Sequence, residues 1–157
     1  MPLKYTAFIS INNGYAVRPL GYGIKLFELG DHRNFIPVNT INPEKCKVSI
    51  HAVLGEDRNL YVTVINKEIG TNARTAKLVI NLGDARFADA QSMRLTGFAN
   101  DVIPRKKTVL GEDEIHEDGS WNGKWTALVS ASGHAAEPTT FQVELAPASA
   151  IIIKFKK

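Results

Sequence analysis

The chain has one cysteine, Cys46, so no internal disulfide can staple it. A zinc site would have to draw on histidines and carboxylates, because Cys46 has no second thiol to work with. No apolar run approaches the 18 residues that a membrane-crossing helix needs. The N-terminus, Met1-Pro-Leu-Lys, lacks a signal-peptide pattern: Thr6 and Ser10 interrupt its apolar stretch and Asn12-Asn13-Gly14 ends it. Read as written, the chain is expected in the cytoplasm; with a leader upstream of Met1 the expectation becomes secretion or the periplasm. Strong charge of either sign is absent too. The net charge is +3, and only Arg105-Lys-Lys107 and Lys154-Phe-Lys-Lys157 form short basic runs. No basic stripe interleaves with aromatics, so neither nucleic acid nor an anionic membrane is expected as partner.

What remains is an ordinary globular composition, with 44% hydrophobic and 22% charged residues over 157 positions. A chain of that length can bury roughly two thirds of its unfolded surface and needs no metal to fold.

The most informative stretch is Arg58 to Glu68. Leu60, Val62 and Val64 fall on one side of an extended strand, and Tyr61, Thr63 and Ile65 on the other. Both sides are apolar or β-branched, which predicts an interior strand covered on both faces. Turn chemistry flanks it at Gly55-Glu-Asp-Arg-Asn and Gly70-Thr-Asn. Around it the period-two pattern recurs. Lys47 to Leu54 points Val48, Ile50, Ala52 and Leu54 inward and Lys47, Ser49 and His51 outward. Ala76 to Leu82 carries Leu78, Ile80 and Leu82 on one face, and Ser92 to Thr96 carries Met93 and Leu95. Thr140 to Leu145 offers Phe141, Val143 and Leu145; Ala150 to Phe155 offers Ile151, Ile153 and Phe155. Short strands are also expected around turns between Val109 and Trp125. Phe35 to Asn39 is a short strand that Pro37 confines to an edge. Residues 130–138 read as a loop, and Lys4 to Ile11 as either a strand or an extended loop.

One helix stands out, between Arg18 and Leu29. Pro19 suits a first helical turn, and Gly30 suits a C-terminal cap. Leu20, Ile24 and Phe27 form an apolar stripe widened by Leu26 and Leu29, made to lie on a partner surface. Gly21 and Gly23 each cost a helix roughly 1 kcal/mol relative to alanine, which suggests that another backbone approaches closely there. The fold class expected is mainly β: an antiparallel β-sandwich of roughly seven to eight strands preceded by one N-terminal helix. Residues 1–33 form the helical N-terminal unit and residues 34–157 the sandwich.

The order of these pieces resembles the end of the catalytic barrel and the C-terminal domain of glycoside hydrolase family 79, which includes β-glucuronidases and heparanase. The resemblance rests on an Asn-Gly turn, then Val17-Arg-Pro-Leu-Gly-Tyr-Gly-Ile-Lys-Leu-Phe27 and Ile36-Pro-Val38. Leu60-Tyr-Val-Thr-Val-Ile-Asn-Lys67, Thr108-Val-Leu-Gly111 and Ile115-His-Glu-Asp-Gly-Ser-Trp121 continue it. Phe141-Gln-Val-Glu-Leu-Ala-Pro-Ala-Ser-Ala-Ile151 completes it, and is similar to a final hairpin found in several related families. The resemblance implies that residues 1–33 are a remnant of the barrel end, with the two catalytic glutamates upstream of Met1. It implies a non-catalytic accessory sandwich, with a (β/α)8 barrel as partner, no catalytic residues of its own and no cofactor.

Candidate sites follow with their structural alternatives. Trp121 and Trp125, with Asn122 and Lys124, could stack a pyranose ring, or Trp121 could simply pack inward after the Asp118-Gly-Ser turn. Tyr22 sits where the resemblance places the rim of an active site. As a stand-alone unit the chain would then be a carbohydrate-binding module, or a sandwich used in protein contacts. The run Gly111 to Gly119 gathers five carboxylates and His116 but lacks the alternation of a calcium loop, so no metal is assigned. His32, His51 and His134 show no ligand spacing. Cys46 between Lys45 and Lys47 reads as a quiet thiol. Gly21-Tyr-Gly23 lacks the spacing of a phosphate-binding loop. Without its barrel, the helix 18–29 is expected either to pair with a second copy or to fold back onto its own sandwich.

Overall fold

The computed structural model describes residues 6–11, 14–30, 33–97, 108–129 and 140–157. The chain opens with β1 (Phe8–Ile11) and β2 (Gly14–Val17), which pair as an antiparallel hairpin, and continues into α1 (Pro19–Leu29). The second half of that hairpin was not anticipated, since its four residues carry no marked alternation.

The strands that follow build two unequal sheets. The larger contains β3 (Asn34–Ile36), β4 (Val48–Leu54), β5 (Leu60–Asn66), β7 (Asp89–Thr96), β8 (Val109–Leu110), β9 (Thr126–Ala127) and β11 (Ser149–Lys156). Its order is β3-β4-β5-β11-β7-β8, with β9 also on β7. The smaller sheet is β6 (Ala76–Asn81) against β10 (Thr140–Leu145), in antiparallel register from Ala76↔Leu145 to Asn81↔Thr140. The two face each other as an antiparallel β-sandwich, the architecture expected from the strand spacing.

β5 is the interior strand its two apolar faces required, held between β4 and β11. Val62 and Val64 point into the space between the sheets, joined there by Ile151, Ile153, Phe155, Phe141, Val143 and Leu145. Phe155 is the hub of this layer: its ring centroid lies 5.0 Å from that of Phe141 and 5.8 Å from that of Phe87. Tyr61 points the other way, and with Met93, Leu110, Ala150 and Ile152 it forms a second apolar layer under α1. Met93 and Leu95 thus share one face as expected, and that face looks toward the helix.

Three expectations need correction. The closing segment is no hairpin. β10 pairs with β6, whereas β11 pairs with β5 and β7 in the opposite sheet, so the chain crosses the core at Ala146-Pro147-Ala148. Ala148 takes a positive φ of 50° to make that crossing. Between Val109 and Trp125 only the two residues of β8 form a strand, because residues 111–125 spend their hydrogen bonds in turns. Leu54, at the end of β4, is exposed, because the apolar cluster between the sheets takes in this strand only as far as Ala52. The predicted loop at 130–138 lies outside the described residues, apart from which the helix bounds and the edge position of β3 are as expected.

The end of the sandwich is locked by a buried polar clamp. The Asn66 side chain donates 2.9 Å bonds to the Arg74 and Leu145 carbonyls and accepts the Glu68 N–H at 3.1 Å. Glu68, only 7% exposed, receives Arg74 Nη2 at 2.8 Å and the Lys47 N–H at 3.1 Å. Arg74 also donates to the carbonyls of Glu44 and Lys45, tying the 42–47 turn to the strand ends. The Arg74 guanidinium, with the Lys47 amide, holds the Glu68 carboxyl below the usual carboxylate range. A carboxyl with a lowered folded-state pKa stabilises the fold above its unfolded value, and the contribution fades as pH falls through the folded value. Glu68→Gln should therefore lower the urea midpoint at neutral pH, and the gap to wild type should narrow as pH falls below the ordinary glutamate value of about 4.3. A gap independent of pH would place the clamp's strength elsewhere.

Candidate functional site

Tyr22, Trp121 and Trp125 come from distant parts of the chain, yet the fold gathers all three on the helix side of the larger sheet. The residues that bring them together are turn formers. Gly119 has φ 82°, the Asp118 carboxylate accepts the Ser120 N–H at 2.9 Å, and His116 N–H reaches the Ser120 carbonyl at 2.9 Å. This tight turn swings Trp121 back under α1. Its indole N–H donates to the Leu110 carbonyl at 2.9 Å, and the Lys25 ammonium stands 5.4 Å from its ring centroid. Lys25 is itself paired with Glu28 at 2.7 Å. Gly123 is required beside the ring, because a methyl there would lie 2.0 Å from Trp121 Cζ2. Gly111, at φ 62°, is equally constrained, with the Lys124 amide 2.7 Å from where a methyl would sit.

Tyr22 is 4% exposed, and its hydroxyl accepts the Ile115 N–H at 2.9 Å. Burial pushes its phenol above the ordinary value, so the hydroxyl stays protonated across the physiological range. Tyr22 is thus a core residue that pins the acidic turn to the helix. Trp121 is half-buried and engaged on its polar edge. Trp125 is also half-buried, flanked by exposed Asn122 and Lys124.

The acidic run is absorbed by the same turn. Asp113 accepts the Asn122 N–H at 2.6 Å, and Leu110 and Asp113 form an isolated bridge. Among the described residues no three histidine, cysteine or acidic side chains converge to hold a metal ion. His51 is exposed on β4, while His32 and His134 lie outside the described residues. Cys46 sits in the 42–47 turn, where its amide is taken by the Asn42 side chain.

The helix itself corrects the sequence reading. Its buried residues are Gly21, Tyr22 and Leu26, so the stripe read from spacing is split: Leu20 is 50%, Ile24 55% and Phe27 66% exposed, whereas Leu26 and Leu29 pack inward. An eleven-residue helix with leucines, isoleucine and aromatics all round has two apolar faces, and the stripe read from spacing runs across both. Of the two glycines, Gly21 does meet another backbone, since a methyl on it would lie 2.9 Å from the Ala7 carbonyl. Gly23 faces open space, so close approach does not explain it. The Arg18 N–H also bonds the Ala7 carbonyl at 2.8 Å, joining hairpin and helix into one unit. That unit further exposes Phe8, Ile9 and Tyr15. Among the described residues, the outer helix face and the hairpin thus form one exposed apolar surface.

No protein-family profile matches the chain, and no curated protein matches its sequence. Solved structures do share its fold. The GH51 α-L-arabinofuranosidase of Thermotoga petrophila RKU-1 matches with a TM-score of 0.64 at 13% identity, over 96% of this chain and 31% of that one. The α-L-arabinofuranosidase of Thermotoga maritima, in its arabinose complex, gives 0.63 at 13% identity, over 96% and 31%. The family 30 subfamily 8 xylanase Xyn30A of Clostridium acetobutylicum gives 0.52 at 15% identity, over 90% and 28%. The chain therefore has a glycoside-hydrolase-related fold and spans less than a third of the length of these enzymes. A match over 96% of the chain takes in α1 as well as the sandwich.

Removing the Tyr22 hydroxyl tests the pin between helix and turn. Tyr22→Phe strands the half-buried Ile115 N–H and should cost about 1–3 kcal/mol in chemical denaturation. A loss below about 0.5 kcal/mol would mean that the turn relaxes to find another partner.

Proposed function

We propose that this chain is a non-catalytic accessory β-sandwich of the family 79-like kind, which packs its N-terminal helix and hairpin against a (β/α)8 catalytic barrel. The observation that carries this is the outer face of α1. Leu20, Ile24 and Phe27 are exposed on a helix whose opposite side is already buried, within a fold shared over nearly its whole length with about a third of several glycoside hydrolases. Uncovered apolar rows of this kind mark protein contact surfaces. The carboxylates argue in the same direction. Retaining hydrolysis needs two carboxyl groups about 5–5.5 Å apart facing a sugar-sized cleft. Here Glu68 is committed to Arg74, Asp113 to Asn122 and Asp118 to Ser120.

The test uses a family 79 β-glucuronidase barrel produced without its own β-domain. Adding this chain should raise the barrel's thermal midpoint by several degrees, whereas the chain carrying Ile24→Asp and Phe27→Asp should leave it unchanged. Equal effects from both versions would remove the reading. If no barrel is bound, the same face is expected to pair two copies, and the same double substitution should return the chain to monomer in sedimentation.

A second reading, a carbohydrate-binding module, is favoured by one observation: Trp125 keeps a half-exposed ring between exposed Asn122 and Lys124. Calorimetric titration with glucuronide oligosaccharides should then give binding that Trp125→Ala abolishes. No heat at millimolar sugar would dismiss it.

A further inference from the structure

The two sheets are unequal, and the difference leaves a groove. Among the described residues the seven-stranded sheet faces only β6 and β10, and the inner side of β4 and part of β5 borders open space. There a cavity of about 570 Å³ opens, walled by Val48, Ile50, Val62 and Val64 on one side and Leu78 and Ile80 on the other. The segment 36–46, with Ile41 88% exposed, forms its rim.

The decisive detail is how β6 meets this cavity. Residues 76–82 line it in unbroken succession. Side chains of a strand alternate between faces, so a cavity touching every residue meets the strand along its edge and therefore its backbone. Among the described residues β6 pairs only with β10, and its other edge carries no strand. The groove thus offers a row of amide and carbonyl groups beside an apolar wall. A lipid or apolar small molecule would cover the wall and leave the amides unpaired, at the cost of burying polar groups. Another extended backbone satisfies both requirements. Within the larger sheet β3 pairs with only Ala52 to Leu54 of β4, so among the described residues no strand borders that edge of β4 beside Val48 and Ile50.

We infer that the edge of β6 that carries no strand among the described residues accepts an extended peptide segment by strand addition, a site distinct from the outer face of α1. Its ligand is a run of about six to seven residues, roughly 20–23 Å long, with apolar side chains at alternate positions facing Val48, Ile50 and Val62. The third strand would also relieve a two-stranded sheet, an arrangement of marginal stability by itself.

A suitable probe is a synthetic peptide, Thr-Phe-Gln-Val-Glu-Leu flanked by lysines, which copies the partner that β6 already accepts on its other edge. Hydrogen exchange of the whole protein should slow at least about tenfold over residues 76–82 at saturating peptide, with residues 140–145 unchanged. Two further peptides carry N-methyl groups on odd or on even residues. Only one of them should lose binding, because alternate amides face the neighbouring strand. Equal binding by both would show an apolar groove without strand pairing. Deprotection of residues 140–145 would show displacement of β10 instead. An edge protected without peptide would be already occupied: by a second copy if protection grows with protein concentration, by the chain itself if not. Any of these results, or no protection at millimolar peptide, overturns the inference. None of them bears on barrel docking, which Ile24→Asp and Phe27→Asp test separately.

Discussion

The strand β11 is buried on both faces along most of its length, and the remainder of the molecule is arranged to keep it so. Ile151, Ile152, Ile153 and Phe155 are all fully buried. Fully burying each such side chain is worth about 1.5–3 kcal/mol, a large part of the net stability of a domain this size. Because successive side chains point to opposite faces, one layer alone cannot cover them. Ile151, Ile153 and Phe155 need the second sheet; Ile152 needs the helix. The three-layer order of helix, large sheet and small sheet follows from that single two-sided strand.

The helix is thereby bound to the sandwich as an integral layer. Tyr22 and Leu26 seal one side of the large sheet, Tyr22 reaches across to the Ile115 amide, and Trp121 folds beneath Lys25. With its inner side fixed, the helix presents Leu20, Ile24 and Phe27 as a rigid outer row. A surface held in this way suits docking better than a loop would, since little ordering entropy remains to be lost on contact.

The carbohydrate candidates show how the same residues can read in two ways. A Gly-Ser-Trp turn next to an acidic run has the composition of a sugar or cation site. In the folded chain its Asp113 and Asp118 carboxylates accept backbone amides and its indole N–H is spent on Leu110. Composition reveals which groups are available, whereas hydrogen-bond partners reveal which remain free.

What the sequence determined by itself was local. Alternation along Thr140 to Leu145 specified a strand and its inward face, because a period of two leaves one face to bury, while apolar residues on both sides of Leu60 to Ile65 specified an interior strand of an antiparallel sandwich. Pro19 and Gly30 bounded the helix to within a residue. Tertiary structure decided which apolar side of that helix is covered, because both sides carry similar residues and only the shape of the sheet distinguishes them. It also decided that β10 and β11 lie in opposite sheets. Residues 146–148 would serve as a hairpin turn or a crossing equally well, and the choice depends on β5 and β7 filling both edges of β11.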